Sequence, residues 1–266
     1  MRVFPKRRLL PGGLSVIDQG QGATVVLLHG VGLCADVWRS QQEALATQHR
    51  VISVDLPGHG GSALVSQTPN NNALSSFAVA IEEGLRSLTS EPVAVVGHSL
   101  GALLAAELSA RGRLPVSRMA LVSPVYRRDD KAQAAVMARA TQLTGKVDHS
   151  ATLTRWFGER PHGSDAGNAE LCRKWLRHAT ARGGYAPAYA AFAGVAGLSD
   201  SWLSSCAIPL LFLTGSADPN STARMSQALA DEARLGQLAV IDRAAHMLTL
   251  THAGPVNGRL GEFLRQ

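Results

Sequence analysis

Short runs of β-branched and aliphatic residues recur along the chain, separated by stretches whose apolar residues fall three and four apart. Residues 14–18 and 24–28 read as two strands joined by the Gly20-Gln21-Gly22 turn. Residues 51–54, 93–96, 118–122, 208–213 and 238–241 repeat the apolar signal at strand length, as strands buried on both faces do. A short edge strand near Val3 is expected beside them. Helical spacing runs over 36–47, through Val37, Trp38, Ala44 and Leu45. It returns over 71–88, through Leu74, Phe77, Ile81, Leu85 and Leu88. Further helices are predicted from 102 to a stop at Gly112, over 221–233, and from the last strand to Gln266. Strands alternating with helices of this length give βαβ units and a mostly parallel sheet.

The alternation stops after Pro124 and resumes at Ile208. The intervening residues carry no strand signal, and their helical segments are broken at Gly145, Pro161-His162-Gly163 and Gly183-Gly184. A helical insertion of this kind sits on top of an α/β sheet as a cap. The expected organisation is a core of residues 1–124 and 206–266 with a helical cap at 125–205. Seven aromatics, Trp156, Phe157, Trp175, Tyr185, Tyr189, Phe192 and Trp202, are concentrated in the insertion. Most must pack the cap itself. Trp156, Phe157 and Trp175, with Met247 from the core, are the expected substrate-binding residues.

The strand at 93–96 runs straight into Gly97-His98-Ser99-Leu100-Gly101 and then into good helix formers. The pentapeptide fits G-x-S-x-G, and strand, turn and helix are the context a nucleophile elbow demands. A serine at a strained, sharp turn projects its Oγ away from the backbone, and glycines on either side remove Cβ atoms that would clash. The helix that follows offers free N–H groups and a positive dipole end to negative charge.

With these residues in view, the chain resembles the α/β-hydrolase fold family over nearly its whole length. Four signatures stand in the family's order. They are His29-Gly30-Val31-Gly32 after a strand, Asp55 to Ser62 with Gly58-His59-Gly60-Gly61, the elbow, and a late acid followed by a late His. The resemblance implies Ser99 as nucleophile, His246 as general base and Asp218 as the acid that orients it. It also implies an oxyanion hole from the backbone N–H groups of Val31 and Leu100, and no metal or cofactor. Ala245 stands where the family often has Gly before the His. The chemistry agrees with the analogy. A serine hydroxyl needs a neighbouring base, and a carboxylate on the other ring nitrogen fixes the imidazole tautomer.

Other residues compete for these roles. His98 adjoins Ser99, but neighbours on a sharp turn point apart. His29 is expected to order its loop, His59 to belong to a turn, and His252 to lie inside the last helix. Asp242, four residues before His246, sits at a strand end, Asp200 falls in the cap and Asp55 braces its own loop.

The resemblance implies a serine hydrolase acting on a small, mostly apolar carboxylic ester or lactone, similar to enol-lactonases and small-molecule esterases. A C–C bond hydrolase of aromatic degradation is the nearest alternative, although Met247 stands where those often carry an aromatic. Cofactor-free haloperoxidases share the triad. Haloalkane dehalogenases and epoxide hydrolases place Asp at the elbow, and Ser99 argues against both. A binding or scaffold protein retaining the fold is the alternative outside catalysis.

Composition adds boundaries. With 266 residues, 45% of them apolar, the chain is long enough for one large α/β domain and an insertion. The net charge is +6, and 22 of the 26 basic residues are Arg. Lys6-Arg7-Arg8 is the longest basic cluster, and Arg127-Arg128 is followed at once by Asp129-Asp130. This reads as a solvated surface rather than a nucleic-acid stripe. Cys34, Cys172 and Cys206 are far apart, suggesting neither a disulfide framework nor a zinc site, and Cys34 reads as a small buried filler. No apolar run suggests a signal peptide or a membrane span, so a cytoplasmic protein is expected. The oligomeric state stays open.

Overall fold

The computed structural model describes residues 6–65, 72–143, 145 and 147–266. Eight strands form one sheet: β1 (Arg7–Leu9), β2 (Ser15–Gln19), β3 (Thr24–Leu28), β4 (Arg50–Asp55), β5 (Val93–His98), β6 (Val116–Val122), β7 (Leu210–Gly215) and β8 (Gly236–Ile241). Their spatial order is β1-β2-β4-β3-β5-β6-β7-β8. The first two pairings, β1 with β2 and β2 with β4, are antiparallel, and all others are parallel. Strands β3, β5 and β7 are buried at every position, which is why they read as unbroken apolar runs rather than alternating ones. The edge strand expected near Val3 lies outside the described residues. The edge that is described, Arg7–Leu9, is exposed at all three positions and carries no apolar signal.

Helices cover both faces: α1 (Arg39–Leu45), α2 (Ala73–Arg86), α3 (Leu100–Arg111), α9 (Ala223–Glu232), α10 (Leu248–Thr251) and α11 (Ala253–Leu264). The segment predicted over 36–47 begins instead as a 3-10 turn at Ala35–Trp38. Asn72 caps α2, its side chain accepting from the Ser75 N–H, so the predicted helix starts late, and Asn71 lies outside the described residues. Gly112 ends α3 in the left-handed conformation, φ 66°, as a C-terminal glycine does. Between β6 and β7 the described residues contain no strand, only α4 (Asp130–Thr141), α5 (Ser150–Phe157), α6 (Ser164–Ala181), α7 (Tyr185–Ala193) and α8 (Asp200–Ser205). At the break before α7, Gly184 lies backbone to backbone against Gly58 of the loop after β4. A Cβ on Gly58 would stand 2.6 Å from the Gly184 Cα. Side chains at either position would push the two layers apart.

The loops at the carboxyl ends of the strands are braced by buried polar groups. Asp55, at the end of β4, accepts from Arg7 Nε at 2.7 Å, Ser15 Oγ at 3.0 Å, Ala35 N at 2.8 Å and Gly61 N at 2.9 Å. Burial alone would raise its pKa. The Arg7 guanidinium and the two backbone donors overcome that and hold it below the usual carboxylate range. Among the described residues no helix is long and apolar enough to cross a membrane.

Candidate active site

Ser99 occupies the corner between β5 and α3 with φ 56° and ψ −114°, a region that costs a non-glycine residue on the order of 1–3 kcal/mol. The glycines around it explain how the corner is reached. A Cβ on Gly97 would collide with the Gly101 carbonyl, and one on Gly101 with the Leu28 carbonyl of β3. The elbow is thus a place where strand, turn and neighbouring strand meet as bare backbone. Ser99 N also donates to the Val122 carbonyl at 2.9 Å, tying the corner to β6. The serine itself is buried, at 8% exposure, yet it reaches the floor of a cavity.

His246 and Asp218 come from the loops after β8 and β7. His246 Nδ1 lies 2.8 Å from Asp218 Oδ2. The other carboxylate oxygen accepts from the Asn220 and Ser221 N–H groups at 2.8 and 3.1 Å. Burial pushes the Asp218 pKa up, but the His246 charge and hydrogen bond and these two N–H groups outweigh it and hold it at about 2. An ionised carboxylate can only accept, so His246 Nδ1 carries the proton and Nε2 is left as the basic nitrogen. Both residues are only 4% exposed. Asp242 stays out of this arrangement. It is exposed and pairs with Arg243 at 3.3 Å. Asp200 instead accepts from Tyr126 and Arg127.

Three other histidines, His98, His29 and His59, hold backbone. His98 Nε2 donates to the His246 carbonyl at 3.0 Å, and burial, then repulsion from His246, drive its pKa to about 3. His29 Nε2 accepts from Leu56 N at 2.9 Å, and His59 Nε2 accepts from Gly32 N at 3.0 Å. Their other ring nitrogens therefore donate, to the Gly30 and Pro57 carbonyls. Both rings are fully buried and must stay neutral to accept, and burial takes their pKa values to about 3 and about 4. The His252 ring meets Thr251 Oγ1 at 2.9 Å and does not line the cavity. The loop these rings secure, 30–33, runs beside the serine: a Cβ on Gly30 would sit 3.3 Å from Ser99 Cβ. Val31 follows Gly30 in the cavity wall, and Leu100 is the first residue of α3 directly after the serine.

The cavity has a volume of about 460 Å³, with Ser99, His98 and His246 at its floor. Helices α4, α5 and α7 form its roof. Of the four residues expected to bind substrate, Trp156 lines it, its ring stacked near His246 with centroids 6.2 Å apart. Phe157, Trp175 and Met247 are not among the lining residues. Phe157 and Trp175 pack half-buried against the core, and Met247 is fully buried within it. The walls are largely apolar, with Tyr185, Tyr189 and Phe192 among them, but they also carry three charges, Arg128, Arg139 and Arg155. Sequence reasoning missed these arginines. It read Arg127-Arg128 as balanced by Asp129-Asp130, whereas Arg127 pairs with Asp200 and Glu232, and Asp129 caps α4. No group of three or more His, Cys, Asp or Glu placed to hold a metal ion occurs among the described residues.

Comparison with known proteins bears on the family and the fold. Residues 25–259 match the family model described as the alpha/beta hydrolase family. The (E)-2-((N-methylformamido)methylene)succinate hydrolase of Acinetobacter baylyi is 37% identical over 249 residues, covering 93% of this chain and 92% of its own. The 3-oxoadipate enol-lactonase 1 of the same species is 28% identical over 84% of this chain and 81% of its own. Among solved structures, a hydrolase from Pseudomonas aeruginosa PA01 superposes with a TM-score of 0.82 at 22% identity, covering 97% of each chain, which is a likeness of fold. With the eight-stranded sheet, the strained serine corner and a match spanning nearly the whole chain, the protein belongs to the alpha/beta hydrolase family.

Proposed function

We propose that the protein is a serine hydrolase that cleaves a small carboxylic ester or lactone through Ser99, His246 and Asp218. The observation that carries this reading is a serine at the floor of a cavity that it shares with an imidazole whose far nitrogen is bound to an ionised, buried carboxylate. His246 Nε2 takes the Ser99 proton as Oγ attacks the acyl carbon, and Asp218 stabilises the imidazolium that results. The negative charge gathering on the carbonyl oxygen is met by the N–H groups of Val31 and Leu100, one on the loop braced by His59 and one at the start of α3. The leaving group departs with the proton from His246, and water releases the acyl group by the same route. Residues 125–205 act as a cap that excludes bulk water and limits acyl size.

The names of the two curated relatives support hydrolysis of small acyl compounds, one a substituted succinate and the other an enol-lactone. The first contains a formamido group, so an amide is the second reading for the scissile bond. A panel of esters, lactones and N-formyl amides decides between them. A neutral fluorophosphonate should label the wild-type protein on Ser99, and Ser99→Ala should abolish labelling and lower kcat by about 10⁶ without unfolding the chain. A variant that keeps more than one per cent of turnover overturns the assignment.

A further inference from the structure

Among the described residues most half-buried guanidinium groups outside the cavity meet a carboxylate, Arg118 excepted, which donates to the Phe263 carbonyl. Arg7 meets Asp36 and Asp55, Arg50 meets Asp18, and Arg111 meets Glu82. The three arginines of the cavity wall have no such partner: among the described residues no carboxylate forms an ion pair with Arg128, Arg139 or Arg155. Their donors are spent on neutral acceptors. Arg128 Nη1 donates to the Val195 carbonyl at 2.7 Å and to Gln133 Oε1 at 2.9 Å, with its guanidinium over the Phe192 ring at 4.2 Å. Arg139 Nη2 donates to Thr152 Oγ1 at 2.9 Å and stands over Tyr189 at 5.6 Å. What is left over is specific. Arg128 Nη2 and Arg139 Nε are buried nitrogens with no hydrogen-bond partner. Burial pulls the Arg128 pKa to about 10, which still leaves it protonated at neutral pH. Asp129 is the single acidic residue in the wall, and its side chain is engaged by the Ala132 N–H.

A guanidinium drawn out of water that no opposite charge meets is costly, and a ligand of opposite charge in the cavity would relieve that cost. We propose that the substrate carries a carboxylate remote from the scissile acyl group, and that Arg128 and Arg139 receive it while Arg155, exposed on α5, draws it in at the mouth. The proposal rests on the Ser99 reading for the position of the acyl group, and it adds the substrate's chemical class. A carboxylate suits the site better than a phosphate. The planar forks are scattered singly over a loop and two helices, and the only glycine in the lining is Gly30, so no backbone nest of the phosphate-binding kind is present.

The experiment compares a half-ester, monoethyl succinate, with the neutral diethyl succinate. Wild-type kcat/KM should favour the half-ester by about 10- to 100-fold, the range expected for charged hydrogen bonds made to only one of the pair. Arg139→Gln should collapse that ratio towards one. It is preferred to Arg128→Gln, whose loss of the Val195 and Gln133 contacts threatens folding. Succinate should also bind Ser99→Ala in calorimetry and slow labelling of wild-type Ser99 by a neutral fluorophosphonate, with inorganic phosphate much less effective. A half-ester no better than the diester, with the diester still cleaved through Ser99, overturns the carboxylate site and leaves the nucleophile intact. Succinate binding that Arg139→Gln weakens, without Ser99 labelling or turnover, keeps the carboxylate site and removes the nucleophile. Stronger protection by phosphate than by succinate overturns the choice of anion.

Discussion

On the floor of the cavity every reactive side chain is held by backbone that has nowhere else to go. Ser99 sits on a corner whose flanking glycines touch carbonyls of α3 and β3, and His246 is fixed through its own carbonyl by His98 and through its ring by Asp218. On the roof the lining side chains hang from helices α4, α5 and α7 and are held by other side chains. Arg139 is oriented by one threonine and one tyrosine ring, and Arg155 by a 3.4 Å contact to the same threonine. The contrast shows how one molecule divides its labour. Chemistry demands positions fixed to fractions of an ångström and is placed on strand ends. On the reading proposed above, substrate choice falls to the helices, whose side chains can be exchanged without disturbing the sheet.

The sharpest way to break this contrast is at Asp218. Asp218→Asn keeps the shape of the site but turns an acceptor-only group into one that can also donate, which permits the wrong His246 tautomer. Turnover should fall by about 10⁴. Asp242→Asn, on the surface beside Arg243, should stay within a factor of about two. Near-normal activity in the first variant with a dead second one would show that the wrong carboxylate was chosen.

The floor should also yield first to acid. His29 and His59 each accept a backbone N–H and must be neutral, and His98 is buried beside His246. Their folded-state pKa values, about 3, 4 and 3, lie below the ordinary 6.5. Between those limits the unfolded chain binds more protons than the folded one. Stability is therefore full above pH 6.5 and falls as the pH drops towards 4. The Asp218 carboxylate adds a further loss only below about pH 4, as the pH approaches its folded value near 2. Thermal unfolding should show a lower Tm at pH 5 than at pH 7.5, and His59→Gln, which keeps an acceptor for Gly32, should flatten that dependence. A Tm unchanged across this range would mean that the histidines do not have to stay neutral.

The same division explains what the sequence could reveal. Ser99, His246 and Asp218 were readable as candidates because each is announced by its own neighbours, a strand before it and turn residues around it, and the fold brings His246 against Asp218 and beside Ser99 at one cavity. The parallel strands were readable because burial on both faces writes itself as a continuous apolar run. The roof was not. Arg128, Arg139 and Arg155 are 11 and 16 residues apart in sequence and converge only because α4 and α5 fold over the same space. Trp156 and Phe157 are adjacent and chemically alike, yet the helix turns one towards His246 and the other towards the core. Nothing in a single sequence separates such neighbours. The exposed edge strand Arg7–Leu9 escaped for a related reason, since pairing with β2 is its only signature.

The smallest expected effect distinguishes floor from roof most cleanly, because it concerns the shape of a profile rather than its height. In a series of neutral p-nitrophenyl esters, each methylene buried in the cavity should raise kcat/KM by about fourfold, from roughly 0.8 kcal/mol of apolar transfer, until the space is filled. The series should then fall sharply once the acyl chain has filled the space of about 460 Å³ beneath α4, α5 and α7. Asp218→Asn should lower every member by the same factor and leave the maximum where it was, since it acts on the transition state of a step common to all. Trp156→Ala opens space beside His246 and should move the maximum to longer chains, with the shortest ester losing only a few-fold. A flat profile to long chains in the wild type would show that the roof does not bound the site. A maximum that Trp156→Ala leaves in place would show that the acyl chain lies along another wall, and the neighbouring Tyr189 and Phe192 would be the next to shorten.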